Sequence, residues 1–262
     1  MKKNNISSKF LRTAKKYQLD YAAGRSQMYD VESRKDKARK IVKLLELAVG
    51  KDKVSKMRVL DIGGSTGIID CILSESFKKI IGIDIDKQAI DYANKKFKRK
   101  NLKFEVGDAL NLHYKDDSFD LVICTHVYEH VADQEKLFKE IHRVLKKNGL
   151  CYLAATNRLW ILEPHYNLPF LSWLPKRLAN LYMKTTGKGD QYYESPLTYW
   201  GLRRLTSRFR IIELTDKIIR NLETYGYNTN IFRKAPLRYI IFLLSPLAKY
   251  LSPTFIWILV KE

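Results

Sequence analysis

Two short apolar segments, each followed by a polar turn, constrain the fold of this chain more than any other feature. Residues 59–67 read Val-Leu-Asp-Ile-Gly-Gly-Ser-Thr-Gly, a strand that runs into a glycine-rich turn at the start of a helix. Residues 80–86 read Ile-Ile-Gly-Ile-Asp-Ile-Asp, and Asp84 follows Gly63 by 21 residues. This spacing predicts a nucleotide-type ligand across the carboxyl ends of two parallel strands, with the second carboxylate on the ribose hydroxyls.

The carboxylate of Asp61, two residues before the first glycine, helps to decide which nucleotide is bound. A dinucleotide places a pyrophosphate at the start of the helix, and a carboxylate there would repel it. S-adenosylmethionine carries no phosphate but has a cationic sulfonium and an ammonium group, which an acidic turn attracts. Ser65 replaces the middle glycine, so the backbone is less suited to a close pyrophosphate. We therefore expect S-adenosylmethionine as the cofactor.

Three further segments carry a resemblance to a known family. Residues 104–109 read Phe-Glu-Val-Gly-Asp-Ala, residues 118–131 end in Thr-His-Val-Tyr-Glu-His-Val, and residues 140–157 run from Glu-Ile-His-Arg to Ala-Ala-Thr-Asn. In this order the five segments resemble the class I S-adenosylmethionine-dependent methyltransferases, in the group that contains the ubiquinone-biosynthesis methyltransferases. The resemblance covers residues 58–157 well and the flanks loosely. It is specific for cofactor and fold but not for the methyl acceptor.

The resemblance implies a role for each residue of these motifs. The methionine end of the cofactor would be held by Asp61 and by the backbone of Gly63, Gly64, Ser65 and Gly67. The nucleoside would contact Asp84 at the ribose, Ile85 at the adenine ring, Asp108 at the exocyclic amine and Ala109 beside it. Thr125, at the end of the fourth strand, would lie near the sulfonium.

The candidates for a catalytic base are three histidines. An oxygen acceptor usually needs a base, whereas a carboxylate acceptor does not. His126 and His130 would share one face with Glu129 if their segment is helical. Some quinone O-methyltransferases carry a metal-assisting acid where His126 stands, so we expect no metal here. We prefer His165, from the Glu-Pro-His sequence at the start of the cap, and a structural hydrogen bond is the alternative role for His130.

The apolar runs predict a Rossmann-like α/β fold with seven mostly parallel strands, helices on both faces and an antiparallel last strand. The predicted strands are 59–63, 79–84, 102–106, 120–124, 150–156, one near 210–217 and 254–260. The predicted helices are 10–21, 32–48, 66–76, 87–98, 132–147 and 237–251. Four regions follow: N-terminal helices that cover the cofactor (1–57), the cofactor-binding core (58–157), a cap inserted after strand five for the acceptor (158–205) and the elements that complete the sheet (206–262).

The positive charge of the chain lies outside the predicted core. The net charge is +20, yet residues 59–157 hold equal numbers of basic and acidic residues. The excess lies in residues 1–58 and 158–262, which are the regions expected to cover the acceptor. Such a field favours an anionic partner, which could be a membrane surface, a phosphorylated or carboxylated acceptor, or nucleic acid. The alternative is that these residues only keep the protein soluble.

The cap and the tail are rich in apolar side chains. Residues 160–182 combine aromatic residues and leucines with Lys176 and Arg177, which suits a membrane interface, the wall of an acceptor tunnel or a lid packed on the core. Residues 239–260 contain one charge, Lys249, but Pro246 and Pro253 interrupt the run. We therefore predict a helix and a strand there rather than a transmembrane span.

Our leading hypothesis is a cytoplasmic methyltransferase, peripheral on the inner face of the membrane, that methylates an oxygen of a small or lipid-linked amphipathic acceptor. The three cysteines show no metal-binding spacing, which agrees with a reducing compartment. The second hypothesis is an RNA-modifying methyltransferase that uses its basic flanks. The third is a binding protein without catalysis, against which the intact acids Asp61, Asp84 and Asp108 argue.

Overall fold

The computed structural model describes residues 18–222, 225 and 249–262. Within them, the strands are β1 (Arg58–Ile62), β2 (Lys79–Asp84), β3 (Leu102–Val106), β4 (Phe119–Thr125), β5 (Leu145–Thr156), β6 (Leu162–Glu163), β7 (Leu168–Pro169), β8 (Phe209–Glu213) and β9 (Thr254–Lys261). The helices are α1 (Val31–Val49), α2 (Lys51–Val54), α3 (Ile68–Leu73), α4 (Lys87–Lys96), α5 (Gln134–Val144), α6 (Lys176–Thr185), α7 (Tyr199–Leu205) and α8 (Thr215–Arg220). Short 3-10 helices cover Ser26–Met28 and Leu171–Trp173.

Seven strands form one sheet in the order β3-β2-β1-β4-β5-β9-β8. The first five pair in parallel, whereas β9 runs antiparallel to both β5 and β8. This confirms the predicted mixed sheet with an antiparallel last strand. In the register, Asp61 lies beside Gly82 of β2 and Ile123 of β4. The carboxyl ends of β1, β2 and β4 therefore meet at one edge of the sheet.

Apolar residues cover both faces of the sheet, as parallel strands between helices require. One core cluster packs Leu60, Val122 and Trp257 against α5 and α7. The other packs Val59, Leu121 and residues of α1 and α8. Trp257 is completely buried. Burial of each such side chain stabilises the fold by roughly 1.5–3 kcal/mol, so the sheet is a rigid base for the residues at its edge.

The bounds of several elements differ from the prediction. The helix expected at 66–76 spans only Ile68–Leu73, because Gly67 adopts a left-handed conformation and the chain turns before β2. The helix expected at 132–147 ends at Val144, because β5 begins earlier than predicted. On β4, which pairs with β5, the register shifts between Phe119 and Leu121. The strand expected near 210–217 ends at Glu213, and α8 follows. Most of the helices expected at 10–21 and 237–251 lies outside the described residues.

The cap between β5 and β8 is a small substructure with its own core. This core is formed by buried apolar residues of the β6–β7 hairpin, α6 and the chain around them, which are Leu168, Leu171, Ala179, Met183 and Tyr192. The returning chain joins the core where Ser195 donates its N–H to the Glu129 carbonyl at 2.8 Å. Among the described residues, we find no helix that combines the length and the apolar character needed to span a bilayer. The division into four regions stays a prediction.

Candidate active site

The carboxyl ends of the central strands open into a cavity of about 1500 Å³. Its walls come from the glycine-rich turn, the ends of β2 and β4, the segment before α1, the start of the cap, and α8 with β9. Pockets for a single small ligand usually measure about 300–1000 Å³. The cavity therefore has room for a nucleoside cofactor and a second molecule beside it.

The glycine-rich turn is fixed by its neighbour strand. Gly63 and Gly64 both donate their N–H groups to the Ile83 carbonyl, at 2.8 and 2.9 Å. The Asp84 carboxylate accepts the N–H of Ser65 at 2.9 Å and that of Asp86 at the same distance. Burial raises the pKa of Asp84 to about 6 despite these hydrogen bonds. Asp84 thus connects the two turns on either side of the expected ribose position.

Asp61 and Asp70 form a buried carboxyl pair behind this turn. Asp61 is 4% exposed and Asp70 is completely buried in α3. Burial raises the pKa of Asp61 to about 7, while a hydrogen bond from Asp70 opposes this. Burial and the Asp61 charge raise the pKa of Asp70 well above its usual value. Two buried carboxylates close together cannot both be charged at low cost, so the charge of Asp61 favours the protonated form of Asp70.

The structure places nearly all predicted cofactor residues around this one cavity. The lining includes Asp61, Gly63, Gly64, Ser65, Asp84, Ile85, Asp108, Ala109 and Thr125. Gly67 is absent from the lining, and a Cβ atom there would lie 2.5 Å from the Phe104 ring. Its left-handed conformation and this close packing explain the glycine. The individual cofactor contacts, including that of Gly67, stay predictions.

The segment before α1 covers the cavity and is tied to the cofactor turns. Ala22 donates its N–H to the buried Asp86 carboxylate at 2.9 Å, and the Thr66 hydroxyl donates to the Met28 carbonyl at 2.7 Å. Tyr21 and Arg34 from this region line the cavity. Burial lowers the pKa of the Arg34 guanidinium, which the Asp61 charge partly restores. A ligand that places an ammonium group on Asp61 can therefore place a neighbouring carboxylate on Arg34.

His165 is held by a buried glutamate at the start of the cap. Its Nδ1 lies 2.6 Å from the Glu163 carboxylate, which also accepts the His165 N–H at 2.8 Å. Glu163 is 1% exposed. Although burial opposes it, the hydrogen bond to Glu163 raises the pKa of His165. A carboxylate on Nδ1 leaves Nε2 of the imidazole as the nitrogen that can exchange a proton.

His130 lies edge-on to His165, with ring centroids 4.8 Å apart. Neither of its ring nitrogens has a hydrogen-bond partner among the described residues, although Nδ1 lies 3.7 Å from Glu194. Burial lowers the pKa of His130 to about 3, so its ring is neutral. The structure does not show the structural hydrogen bond considered for this side chain.

His126 and His130 do not share a helical face, because their segment consists of turns. His126 has a positive φ of 55° at the end of β4, and its Nδ1 lies 3.2 Å from the Thr156 hydroxyl and 3.5 Å from Glu129. Glu129 is buried, and its pKa falls to about 2 because His126 and Thr156 hydrogen-bond to it against the cost of burial. Glu129, His130 and His165 each offer an atom within 4.8 Å of the others, a set that could hold a metal ion. The expectation of no metal stays a prediction.

Comparison with known proteins gives the family. Residues 60–153 match the family model described as a methyltransferase domain. The structure resembles that of the plantazolicin methyltransferase BpumL, with a TM-score of 0.60, 17% identity and coverage of 99% of this chain and 98% of that one.

Residues 60–153 form a methyltransferase domain.

S-adenosylmethionine is the cofactor of this family. The site fits it, because the buried Asp61 Oδ1 on the cavity lacks a hydrogen-bond partner among the described residues and can accept an ammonium group.

Curated relatives share this domain but not the whole chain. The uncharacterized methyltransferase YcgJ of Bacillus subtilis is 36% identical over 95 residues, 35% of this chain and 38% of that protein. The demethylmenaquinone methyltransferase of Lactobacillus johnsonii is 34% identical over 106 residues, 38% and 43%. The ubiquinone biosynthesis O-methyltransferase of Pelagibacter ubique is 28% identical over 142 residues, 52% and 58%. The chain thus spans 38–58% of the length of these relatives.

Sequence reasoning missed several residues of the site. Asp70 has no motif around it, although a carboxylate in a short apolar helix is an unusual residue that could have been noticed. Arg34 is one of several basic residues in the same helix, so nothing in the sequence distinguishes it as a residue of the site. Glu194 is 65 residues from Glu129 in the chain and reaches the site only because the cap folds back.

Proposed function

We propose that the protein is an S-adenosylmethionine-dependent methyltransferase that methylates an oxygen of a small or lipid-linked amphipathic acceptor. The observation that carries the proposal is the His165–Glu163 pair, whose histidine lines the same cavity as Asp61 and Asp84. A base held by a buried carboxylate, beside a cofactor site, is the arrangement that deprotonation of a hydroxyl acceptor needs. The curated relatives named for quinone substrates agree with an amphipathic acceptor.

In this proposal the protein positions the acceptor and removes one proton. Asp61 and Arg34 hold the methionine end of the cofactor, and Asp84 holds the ribose. The cofactor supplies a methyl group that its sulfonium already activates, so alignment of the acceptor and exclusion of water are the main tasks. His165 accepts the hydroxyl proton at Nε2, and Glu163 stabilises the resulting imidazolium.

The other two histidines have supporting roles. His130, neutral and buried, packs against His165 and Tyr21 and fixes the orientation of the His165 ring. His126 follows β4 directly and lines the cavity beside Thr125, where it would contact the acceptor or the sulfonium region. The strained backbone of His126 supports this role, because such conformations cluster at functional sites.

The proposal places the cap on an anionic membrane surface. Phe170 and Trp173 are each 45% exposed and pack edge-on to one another at 5.0 Å. Phe170 has a φ of 58°, in the left-handed region of backbone conformation, which is costly for an aromatic residue. Leu178 and Leu181 of α6 are also exposed, beside the basic residues Arg177 and Lys184. Exposed aromatics bordered by positive charge suit a membrane interface.

A labelled-methyl transfer assay on host extract tests the proposal. The purified protein is incubated with S-adenosylmethionine labelled in its methyl group, and lipid, soluble and RNA fractions are counted separately. We expect label in the lipid or soluble fraction, lost at least a hundredfold in His165→Gln but kept in His113→Gln, which changes an exposed histidine that is not part of the cavity lining. Label confined to RNA would instead favour the RNA-modifying alternative, and no transfer at all would contradict the proposal.

A further inference from the structure

His126 has a hydrogen-bonding partner on the wall of the cavity. Its backbone N–H donates to the Ala154 carbonyl of β5 at 2.8 Å, so the neighbouring strand fixes the start of its side chain. Its Nδ1 lies 3.2 Å from the hydroxyl of Thr156, at the end of the same strand. Both side chains line the cavity. One ring nitrogen of His126 is therefore turned toward β5.

The Thr156 hydroxyl in turn donates its hydrogen to the carboxylate of Glu129. Thr156 is 2% exposed and Glu129 is 1% exposed. Although burial opposes it, hydrogen bonds from His126 and Thr156 lower the pKa of Glu129 to about 2, so the carboxylate is ionised and only accepts hydrogen bonds. The three side chains thus connect the cavity to a buried negative charge.

This series of hydrogen bonds determines which nitrogen of His126 carries the hydrogen. A hydroxyl has a single hydrogen to donate, and that of Thr156 is on Glu129. Thr156 can therefore only accept from Nδ1, which places the hydrogen of the neutral imidazole on Nδ1. The Glu129 carboxylate, 3.5 Å from Nδ1, favours the same form. The lone pair of Nε2 is then left for a ligand.

His165 offers the same nitrogen to the same cavity. The Glu163 carboxylate on its Nδ1 leaves Nε2 as the nitrogen that can accept a hydrogen, and both histidines line the cavity. Two imidazoles, each oriented through Nδ1, thus provide two accepting nitrogens. A group that is oriented before the ligand arrives loses little freedom on binding, which increases affinity. A methyl acceptor that satisfies both nitrogens carries two hydrogen-bond donors.

We propose that Thr156 and Glu129 are positioning residues, which hold His126 so that its Nε2 accepts a hydrogen bond from a second donor group of the methyl acceptor. This rests on the proposed function and narrows the acceptor class to molecules with a second hydroxyl or an amine N–H. His165 takes the proton of the hydroxyl that is methylated, whereas the second donor keeps its hydrogen. His126 orients the methyl acceptor and takes no part in the proton transfer.

Nitrogen NMR of the protein tests the positioning directly. In protein isotopically labelled in the ring nitrogens of its five histidines, the two neutral tautomers have different chemical shifts, and the spectrum of His126→Gln identifies the signals of His126. We expect the Nδ1–H form in the unchanged protein and in Thr156→Ser, which keeps the hydroxyl. In Glu129→Gln the side-chain amide can itself donate to Thr156, so the two forms should mix. A predominant Nε2–H form in the unchanged protein, or an unchanged tautomer in Glu129→Gln, would overturn the proposal.

The labelled-methyl transfer assay tests the binding role of His126. With S-adenosylmethionine saturating, dilution of the active extract fraction gives a half-saturating amount and a maximal rate. We expect the half-saturating amount to rise roughly fivefold or more in His126→Gln and Glu129→Gln, and to return to that of the unchanged protein in Thr156→Ser. Glu140→Gln is the matched control, because it removes a carboxylate that also accepts a backbone N–H but is not part of the cavity lining. Equal half-saturating amounts in all these proteins would overturn the proposal.

The labelled product gives an independent test of the second donor. It should keep at least one hydrogen that exchanges in deuterium oxide, measured by mass spectrometry, because only one of the two donors is methylated. A product without an exchangeable hydrogen would overturn the proposal, and so would a parallel loss of S-adenosylmethionine affinity in His126→Gln, because the residue would then serve the cofactor. Failure of the unchanged protein to transfer label would instead contradict the proposed function, with the tautomer of His126 still decided by NMR.

Discussion

At the scale of single residues, the raised pKa of the buried Asp61 makes cofactor binding depend on pH. An ammonium ligand favours the ionised Asp61, whose pKa in the free protein is about 7. As pH falls through 7, the protonated form gains and must lose its proton before the ligand binds. We expect the affinity for S-adenosylmethionine, measured by calorimetry, to fall roughly 25-fold between pH 7.5 and pH 5.5.

The variant Asp70→Asn separates this effect from titration elsewhere. Its amide donates a hydrogen bond to Asp61 without competing for the proton, which lowers the pKa of Asp61. We expect its affinity to change less than about threefold over the same pH range. An unchanged pH profile in Asp70→Asn would show that the pair does not control binding. Arg34, Asp84 and Cys71 also face the pair, and they remain the same in both proteins.

The His165–Glu163 pair gives a second residue-scale prediction. A base must be unprotonated, so the transfer rate rises with pH through the pKa of His165, which Glu163 raises. In Glu163→Gln this pKa falls, so the rising limb moves to lower pH while the maximal rate drops about tenfold or more. A lower rate with the limb in its original place would assign Glu163 a purely structural role.

At the scale of elements, the glycine-rich turn packs so closely on its neighbours that a single added methyl group should destabilise the protein. In Gly67→Ala, the Cβ atom would meet Phe104 at 2.5 Å and Ala93 at 2.7 Å, at a φ of 71°. We expect a loss of about 2–4 kcal/mol in the free energy of unfolding, measured with urea, from overpacking and the left-handed backbone. Gly107→Ala is the control, because its nearest neighbour, Ile83, lies at an ordinary 3.5 Å. Equal stability of the two variants would contradict this packing.

The elements also show what a sequence can and cannot predict. The strands β1, β2 and β3 lie within one residue of their predicted bounds, because each is a short apolar run closed by a polar turn. The predicted end of α5 was wrong, and the segment from His126 to His130 forms turns, because tertiary pairing with β5 rather than local pattern decides both. The Glu163 partner of His165 is two residues away in the sequence, whereas the ring contacts of His130 with Tyr21 and His165 join distant parts of the chain that no local spacing encodes.

At the scale of the whole molecule, the uneven charge predicts a salt-dependent partner. The protein carries a net charge of +20, and the basic excess lies outside the neutral core. We expect it to float with anionic vesicles at low salt, to stay unbound with neutral vesicles, and to be released as salt screens the charges.

The cap makes this prediction specific. Changing Phe170 and Trp173 to serine should reduce vesicle binding severalfold, because both side chains are exposed beside basic residues. The control changes Leu47 and Val106, exposed apolar residues outside the cap, to serine. An equal loss of vesicle binding in the two double variants would show that the cap is not the membrane-binding surface. Tight, steeply salt-dependent binding to transfer RNA in place of vesicles would favour the RNA-modifying hypothesis.

The most direct measurement is calorimetric titration of the protein with S-adenosylmethionine and, separately, with NAD. An acidic turn around Asp61 should bind the first at one site and give no heat with the second, and Asp84→Ala should weaken that binding at least tenfold. Binding of NAD without binding of S-adenosylmethionine would show that a pyrophosphate occupies the turn, which would contradict both the cofactor and the chemistry assigned to this cavity.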